Sequence, residues 1–212
     1  KNSRNFPRMN RIRNYFSFLS SAAAGIFYRF HFVEPGNWSK HYIICANHAS
    51  NLDISAVSIL MRSHYAFMGK DDLLDNPVTA LFFKTIDIPV DRNSKMSAFR
   101  AFKKAEVYLK NGVSVVIFPE GKIPDDFPPV LHEFKNGPFR LAIEQGVPII
   151  PVSIKNLWKI MWDDGAKYGT RPGICNICVH APVDTSGLTV ADTDALRERV
   201  FEIIKNGIDE DR

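Results

Sequence analysis

His41-Tyr42-Ile43-Ile44-Cys45-Ala46-Asn47-His48-Ala49-Ser50-Asn51-Leu52-Asp53-Ile54-Ser55-Ala56-Val57-Ser58-Ile59-Leu60-Met61 passes from a short apolar run, through a polar turn, into a second apolar stretch. His41 to Ala46 predicts a buried strand and Ile54 to Met61 an apolar-faced helix. The residues able to do chemistry fall between them. On a straight helix His48 and Asp53 would diverge by about 140 degrees, given roughly 100 degrees per residue. With His48 in the turn and Asp53 in the first helical turn, the carboxylate can accept from one imidazole nitrogen while the other faces a cleft. That arrangement fixes the tautomer and stabilises the imidazolium formed when a hydroxyl proton is taken.

Outward from this junction the strand, turn, helix pattern repeats. Tyr65 to Met68, Ile86 to Val90, Val113 to Phe118, Ile149 to Ile154 and Ile174 to Val179 are apolar or β-branched runs of strand length. Pro77 to Phe83, Ser94 to Asn111, Pro138 to Gln145 and Val190 to Lys205 read as helices, several stopped by a glycine. Alternation of this kind predicts a single α/β domain with a mostly parallel or mixed central sheet flanked by helices. Its site is expected in the loops at the strand C-terminal ends.

Toward the N-terminus the character changes. Of the 27 Lys and Arg, six (Lys1, Arg4, Arg8, Arg11, Arg13, Arg29) lie in residues 1–33 with no acid, which leaves 21 basic against 23 acidic residues elsewhere. The net charge of +4 therefore resides in this segment, and an anionic partner should meet the protein there. Met9 to Phe32 reads as a helix carrying Tyr15, Phe16, Phe18, Leu19, Ile26, Phe27 and Phe30. Its longest uncharged stretch, Asn14 to Tyr28, has 15 residues, against the roughly 20 needed to span a bilayer. A basic, aromatic-rich helix suits the membrane interface. Residues 1–36 are thus expected to be an amphipathic membrane-docking segment and 37–212 the catalytic domain. The odd count of three cysteines gives no disulfide framework. Cys175 and Cys178, on opposite faces of a strand, are expected to be buried and structural.

Three further segments carry candidate site residues. Ile88-Pro89-Val90-Asp91-Arg92 ends in an arginine suited to a phosphate oxygen pair. Phe118-Pro119-Glu120-Gly121-Lys122 closes the most continuous β run; its glutamate can accept from a glycerol hydroxyl, and its glycine lets backbone approach a ligand. Val147-Pro148-Ile149-Ile150-Pro151-Val152 reads as a core strand and follows Phe134-Lys135-Asn136-Gly137. Lys122 and Lys135 join the substrate-binding candidates. No G-x-S-x-G elbow is present, so the attacking hydroxyl should belong to the substrate. His41, His48 and Asp53 do not have the spacing of a zinc site.

In this order, the four segments resemble the glycerolipid acyltransferase family, which includes the 1-acylglycerol-3-phosphate acyltransferases, over about Tyr42 to Val183. The family's N-H-x-S-x-x-D motif is met by Asn47, His48, Ser50 and Asp53. The resemblance implies that His48 is the base and Asp53 its orienting partner, that Arg92 meets the acceptor phosphate, and that Glu120 and Gly121 line the acceptor site. Pro148 falls on the fourth motif, as a structural or acyl-pocket residue. The sequence departs from the family in having Lys122-Ile123-Pro124 where Thr-Arg or Thr-Ser is usual, and Ile86-Asp87 near an expected glycine. The family implies a glycerol-3-phosphate acyltransferase-like fold and transfer of a fatty-acyl group from acyl-CoA or acyl carrier protein to 1-acylglycerol 3-phosphate, giving phosphatidic acid. The thioester is a co-substrate and no cofactor or metal is expected. Expected partners are an anionic phospholipid surface on the cytoplasmic face and the lysophospholipid acceptor, with no nucleic acid. Glycerol 3-phosphate, other lysophospholipids and a lyso-aminolipid are alternative acceptors; a non-catalytic lipid-binding member would need neither His48 nor Asp53.

Overall fold

The structure, a computed structural model, describes residues 5–91 and 93–209. Among the described residues, α1 (Phe6–Ala23), β1 (Ile26–Phe32), β2 (Ile43–Ala46), α2 (Asp53–Leu60), β3 (Tyr65–Lys70), α3 (Pro77–Phe83), β4 (Ile88–Val90) and α4 (Lys95–Lys110) are followed by β5 (Ser114–Ile117), α5 (Gly137–Gln145), β6 (Ile149–Ile154), α6 (Leu157–Ile160), β7 (Gly173–Val179) and α7 (Thr193–Asp209). The strands form one sheet in the order β1-β7-β6-β2-β5-β3-β4. β6, β2, β5, β3 and β4 are mutually parallel, whereas β7 pairs antiparallel with β6 and parallel with β1. This is the expected α/β domain with a mostly parallel sheet.

Strands β2, β5 and β6 are buried along their whole length, which is why they read as predominantly apolar runs. Their alternate residues feed two cores. Ile43, Cys45, Val115, Ile117 and Ile149 pack with helices α4, α5 and α7 through Ala105, Leu109, Phe139, Ala142, Val200 and Ile204. Ile44, Ala46, Val116, Ile150 and Val152 pack with α2 and α6 through Ala56, Val57, Leu60, Leu157 and Ile160. α5 stops at Gly146, whose left-handed φ of 61° glycine adopts without a Cβ penalty.

The expected helix over Met9–Phe32 is corrected. α1 ends at Ala23, and Ile26–Phe32 is the edge strand β1, paired in register with Gly173–Val179. Residues 26–32 therefore belong to the same sheet as the rest of the chain, not to a helical segment apart from it. α1 itself is turned inside out. Asn10, Arg13, Ser17 and Ser21 are buried, while Tyr15, Phe16, Phe18 and Leu19 are at least half exposed. Two side-chain contacts anchor its polar face: Asn10 donates to the Tyr65 carbonyl and accepts from the Tyr65 N–H (2.9 and 3.2 Å), and Arg13 pairs with Asp87. Among the described residues, no helix is long and apolar enough to cross a membrane. Cys45, Cys175 and Cys178 are buried, and among the described residues they form no disulfide.

Candidate active site

The turn after β2 lies at the C-terminal end of the parallel strands, and two polar side chains fix its ends. Asn47 is buried and bridges to Ile154 at the end of β6, accepting from its N–H at 2.7 Å and donating to its carbonyl at 2.9 Å. Glu120, 5% exposed, accepts from the backbone N–H of His48 at 2.7 Å and of His132 at 2.9 Å. Burial pushes the Glu120 carboxyl up to about 7, against the pull of those two N–H groups.

Between these anchors the chain wraps a carboxylate. Asp53, the first residue of α2, is fully buried, and its Oδ2 contacts His48 Nδ1 at 2.9 Å and accepts the N–H groups of Ala49 and Ser50 at 2.7 and 2.8 Å. A carboxylate in the first helical turn is also favoured by the helix dipole. With Asp53 accepting, Nδ1 carries the hydrogen, and Nε2 is left as the basic atom. The imidazole stacks on Phe118 (centroids 4.2 Å apart), which stacks in turn on Phe67 (6.2 Å). The ring can rotate little, so the orientation of its free nitrogen is set by the fold.

His48 lies between two cavities. The larger, about 380 Å³, has apolar walls that include Ile54, Phe67, Met68, Phe82, Phe83 and Phe118, with Lys70, Asp72, Lys122 and Asp125 also lining it. The smaller, about 120 Å³, is lined by Asn47, Glu120, Val130, Leu131, Trp158 and Phe201 among others. An imidazole between two cavities is placed to take a proton from one bound molecule as it reacts with another.

Of the residues singled out from sequence, His48 and Asp53 are in direct contact, and Glu120 reaches His48 through its backbone. Gly121, with φ +79°, follows Glu120 in the turn, where its N–H donates to the Phe118 carbonyl at 3.1 Å. Lys122 is exposed, lines the larger cavity and pairs with Asp125. Lys135 is exposed and lines neither cavity at His48; its backbone N–H donates to Pro119. Arg92 lies outside the described residues. Pro148 precedes β6 at the end of the sheet away from His48, where its carbonyl accepts from the Ile43 N–H at 3.2 Å.

Two residues that sequence reasoning passed over also belong here. Trp162 and Asp163 line the larger cavity, and the Asp163 backbone is tied to the His48 turn through Ala49 and Asn51 at 3.0 and 2.9 Å. Asp163 has φ 52°, an unusual conformation for a non-glycine residue and one concentrated at functional sites. No motif marks it in the sequence.

Comparison with known proteins gives a consistent picture. The family model described as Acyltransferase matches residues 27–155. The chain is 26% identical over 207 residues to an uncharacterised acyltransferase of Schizosaccharomyces pombe (96% of this chain, 74% of that one). It is 30% identical over 165 residues to mouse 1-acyl-sn-glycerol-3-phosphate acyltransferase alpha, covering 76% of this chain but only 56% of the mouse protein. The crystal structure of the 1-acyl-sn-glycerophosphate acyltransferase PlsC from Thermotoga maritima superposes with a TM-score of 0.80 at 24% identity, over 99% of this chain and 82% of that one, and shares its fold. The turn that sets Asp53 against His48 falls within the matched residues, and the chain belongs to the acyltransferase family.

Proposed function

We propose that this protein transfers a fatty-acyl group from a thioester, carried by coenzyme A or acyl carrier protein, to the free hydroxyl of 1-acylglycerol 3-phosphate, giving phosphatidic acid. The observation that carries this reading is the His48 Nδ1 to Asp53 Oδ2 contact of 2.9 Å beside an apolar-walled cavity. His48 Nε2 accepts the acceptor's hydroxyl proton as the oxygen adds to the thioester carbonyl. The C–S bond then breaks, and the leaving sulfur takes the proton back from the imidazolium. Asp53 stabilises the cation formed between the two steps. Holding both substrates against one ring replaces a bimolecular encounter, which is the other large source of rate.

The acceptor's phosphate meets Lys122, which lines the larger cavity; the family motif assigns the same role to Arg92, which lies outside the described residues. Glu120 serves the site by holding the His48 backbone. α1 docks on an anionic bilayer on the cytoplasmic face, supported by its outward aromatic and aliphatic side chains and the basic residues of the N-terminal segment. That position brings the His48 cavities to the surface where lysolipid and product reside.

The test is mass-spectrometric detection of phosphatidic acid after mixing purified protein, lysophosphatidic acid and acyl-CoA, alongside glycerol 3-phosphate, other lysophospholipids and a lyso-aminolipid as acceptors. Lysophosphatidic acid should be the preferred acceptor, and His48→Ala should lower turnover by on the order of a thousandfold without unfolding the protein. Wild-type turnover in folded His48→Ala, or preference for an acceptor lacking phosphate, refutes the assignment.

A further inference from the structure

A groove of about 540 Å³ lies at the opposite end of α2 from Asp53. The eight residues of α2 set it roughly 12 Å from the His48 turn, at 1.5 Å per residue. Asn10, Arg11, Asn14, Tyr15 and Phe18 recur at the spacing of one stripe of α1 and form one wall. Ile59 near the end of α2, with Met61, Arg62 and His64 in the loop before β3, forms the other. Asn14 ties the walls together, donating to the Met61 carbonyl at 3.3 Å and accepting the Tyr65 hydroxyl at 2.6 Å, beside the pairing of Asn10 with the Tyr65 backbone. The fold itself holds the groove open, so no ligand is needed to form it.

The charge of the groove is one-sided. Arg11, Arg62 and His64 are exposed, and among the described residues no acid lines it. Arg13, Arg140 and Arg197 each pair with a carboxylate, whereas neither Arg11 nor Arg62 has a salt bridge or a side-chain hydrogen bond among the described residues. Tyr15 and Phe18 stand exposed beside them. Two uncommitted guanidinium forks are suited to phosphate oxygens, and rings next to them suit the headgroup depth of a bilayer. A zwitterionic headgroup would bring its ammonium to a groove that offers no carboxylate, so the lining favours lipids of net negative charge.

We propose that this groove is a discrete binding site for the headgroup phosphate of an anionic phospholipid of the bilayer, separate from the site at which His48 acts. The assignment deepens the bilayer-docking reading above and rests on it for the identity of the occupant. Arg11 and Arg62 hold the phosphate from the two walls, and Tyr15 and Phe18 lie against the glycerol and upper acyl chains. Diffuse attraction behaves differently, since it contributes about 1 kcal/mol per basic residue near the surface whatever the shape of the cation.

The test separates a shaped site from diffuse charge by keeping the charge. Arg11→Lys with Arg62→Lys preserves both positive charges and removes both forks. In flotation with phosphatidylcholine vesicles containing phosphatidylglycerol, this variant should lose on the order of tenfold in apparent affinity, the size of about one charge-assisted hydrogen bond. Arg8→Lys, at an exposed position of α1 outside the groove, should bind like the wild type. Dihexanoyl phosphatidylglycerol, kept below its micelle concentration, reads the groove without a bilayer. Calorimetric titration should show saturable binding to the wild type and to Phe16→Glu with Leu19→Glu, and the same loss in Arg11→Lys with Arg62→Lys. Both arginines are exposed, so these variants should melt with the wild type. Saturable, arginine-dependent binding by a wild type that does not float with vesicles removes bilayer docking and spares the groove. Binding unchanged by the paired lysine substitutions, an equal loss in Arg8→Lys, or equal affinity for dihexanoyl phosphatidylcholine overturns the proposal.

Discussion

Replacing Asp53 by asparagine tests the catalytic pair with little change in shape. Oδ2 meets three donors, His48 Nδ1, Ala49 N and Ser50 N, at 2.7 to 2.9 Å, whereas Oδ1 is buried with no partner among the described residues. In Asp53→Asn the amide oxygen must take the Oδ2 position, because an NH2 there would face two backbone N–H groups. The amide nitrogen falls where Oδ1 was, a buried position with no partner among the described residues, which costs stability about 1–3 kcal/mol. The histidine keeps its orientation and tautomer, and within the His48 contact the change is the loss of the negative charge. Two unit charges at the 2.9 Å separation interact by about 6 kcal/mol at an effective dielectric constant near 20. Sharing of the charge over two oxygens and the remaining amide dipole roughly halve this, leaving about 3 kcal/mol, or on the order of a hundredfold in turnover. The assay is thiol release from acyl-CoA in the presence of lysophosphatidic acid, at a temperature well below the melting transition of the variant. Because the pair acts as one unit, Asp53→Asn should add little further loss in a His48→Ala background. Turnover within threefold of wild type in the folded single variant, or fully additive losses in the double, would refute the charge-stabilisation argument.

Glu120→Gln reports on the buried carboxyl. In the native state Glu120 keeps its proton up to about pH 7, whereas the unfolded carboxyl releases it near 4.5. The folded state therefore binds the extra proton in this window, and wild-type stability falls as pH rises through it, by up to about 3 kcal/mol. Urea melts at pH 5 and pH 8 should show that loss in the wild type and a flatter profile in the variant; equal slopes in the two proteins contradict the assignment. On α1, Phe16→Glu with Leu19→Glu alters two side chains that are 50% and 62% exposed. It should leave the fold intact and cut binding to anionic vesicles by tenfold or more in flotation assays, since each buried apolar side chain contributes about 1.5–3 kcal/mol. Undiminished binding would place the lipid contact elsewhere.

What could be read from sequence follows the range of the interactions involved. His48 and Asp53 lie five positions apart, and a strand-to-helix turn is enough to bring them together. β2, β5 and β6 announced themselves because burial on both faces leaves room for few polar residues, Ser114 and Ser153 alone among their positions. β1 did not. Its alternation of outward Phe27, Arg29 and His31 with inward-facing Tyr28, Phe30 and Phe32 was masked by outward Phe27 and by the uncharged stretch that runs into it from α1, and its pairing partner β7 is remote in sequence. Arg13 looked like one more lipid-facing cation of a basic segment; only the meeting with Asp87, 74 positions away, makes it an interior residue. Glu120 was found by its motif, but its use of both oxygens on backbone N–H groups depends on His132, which carried no signal.

The inverted faces of α1 have a practical consequence for anyone wishing to trim this protein. A helix with a greasy exterior invites removal to improve solubility, yet here deletion would strip Tyr65 of the side chain that completes its main-chain pairing at the start of β3 and leave Asp87 interred without its counter-ion. The shortened chain would trade a sticky surface for a damaged interior. Solubilising substitutions belong at Tyr15, Phe16, Phe18 and Leu19, with Asn10 and Arg13 left in place.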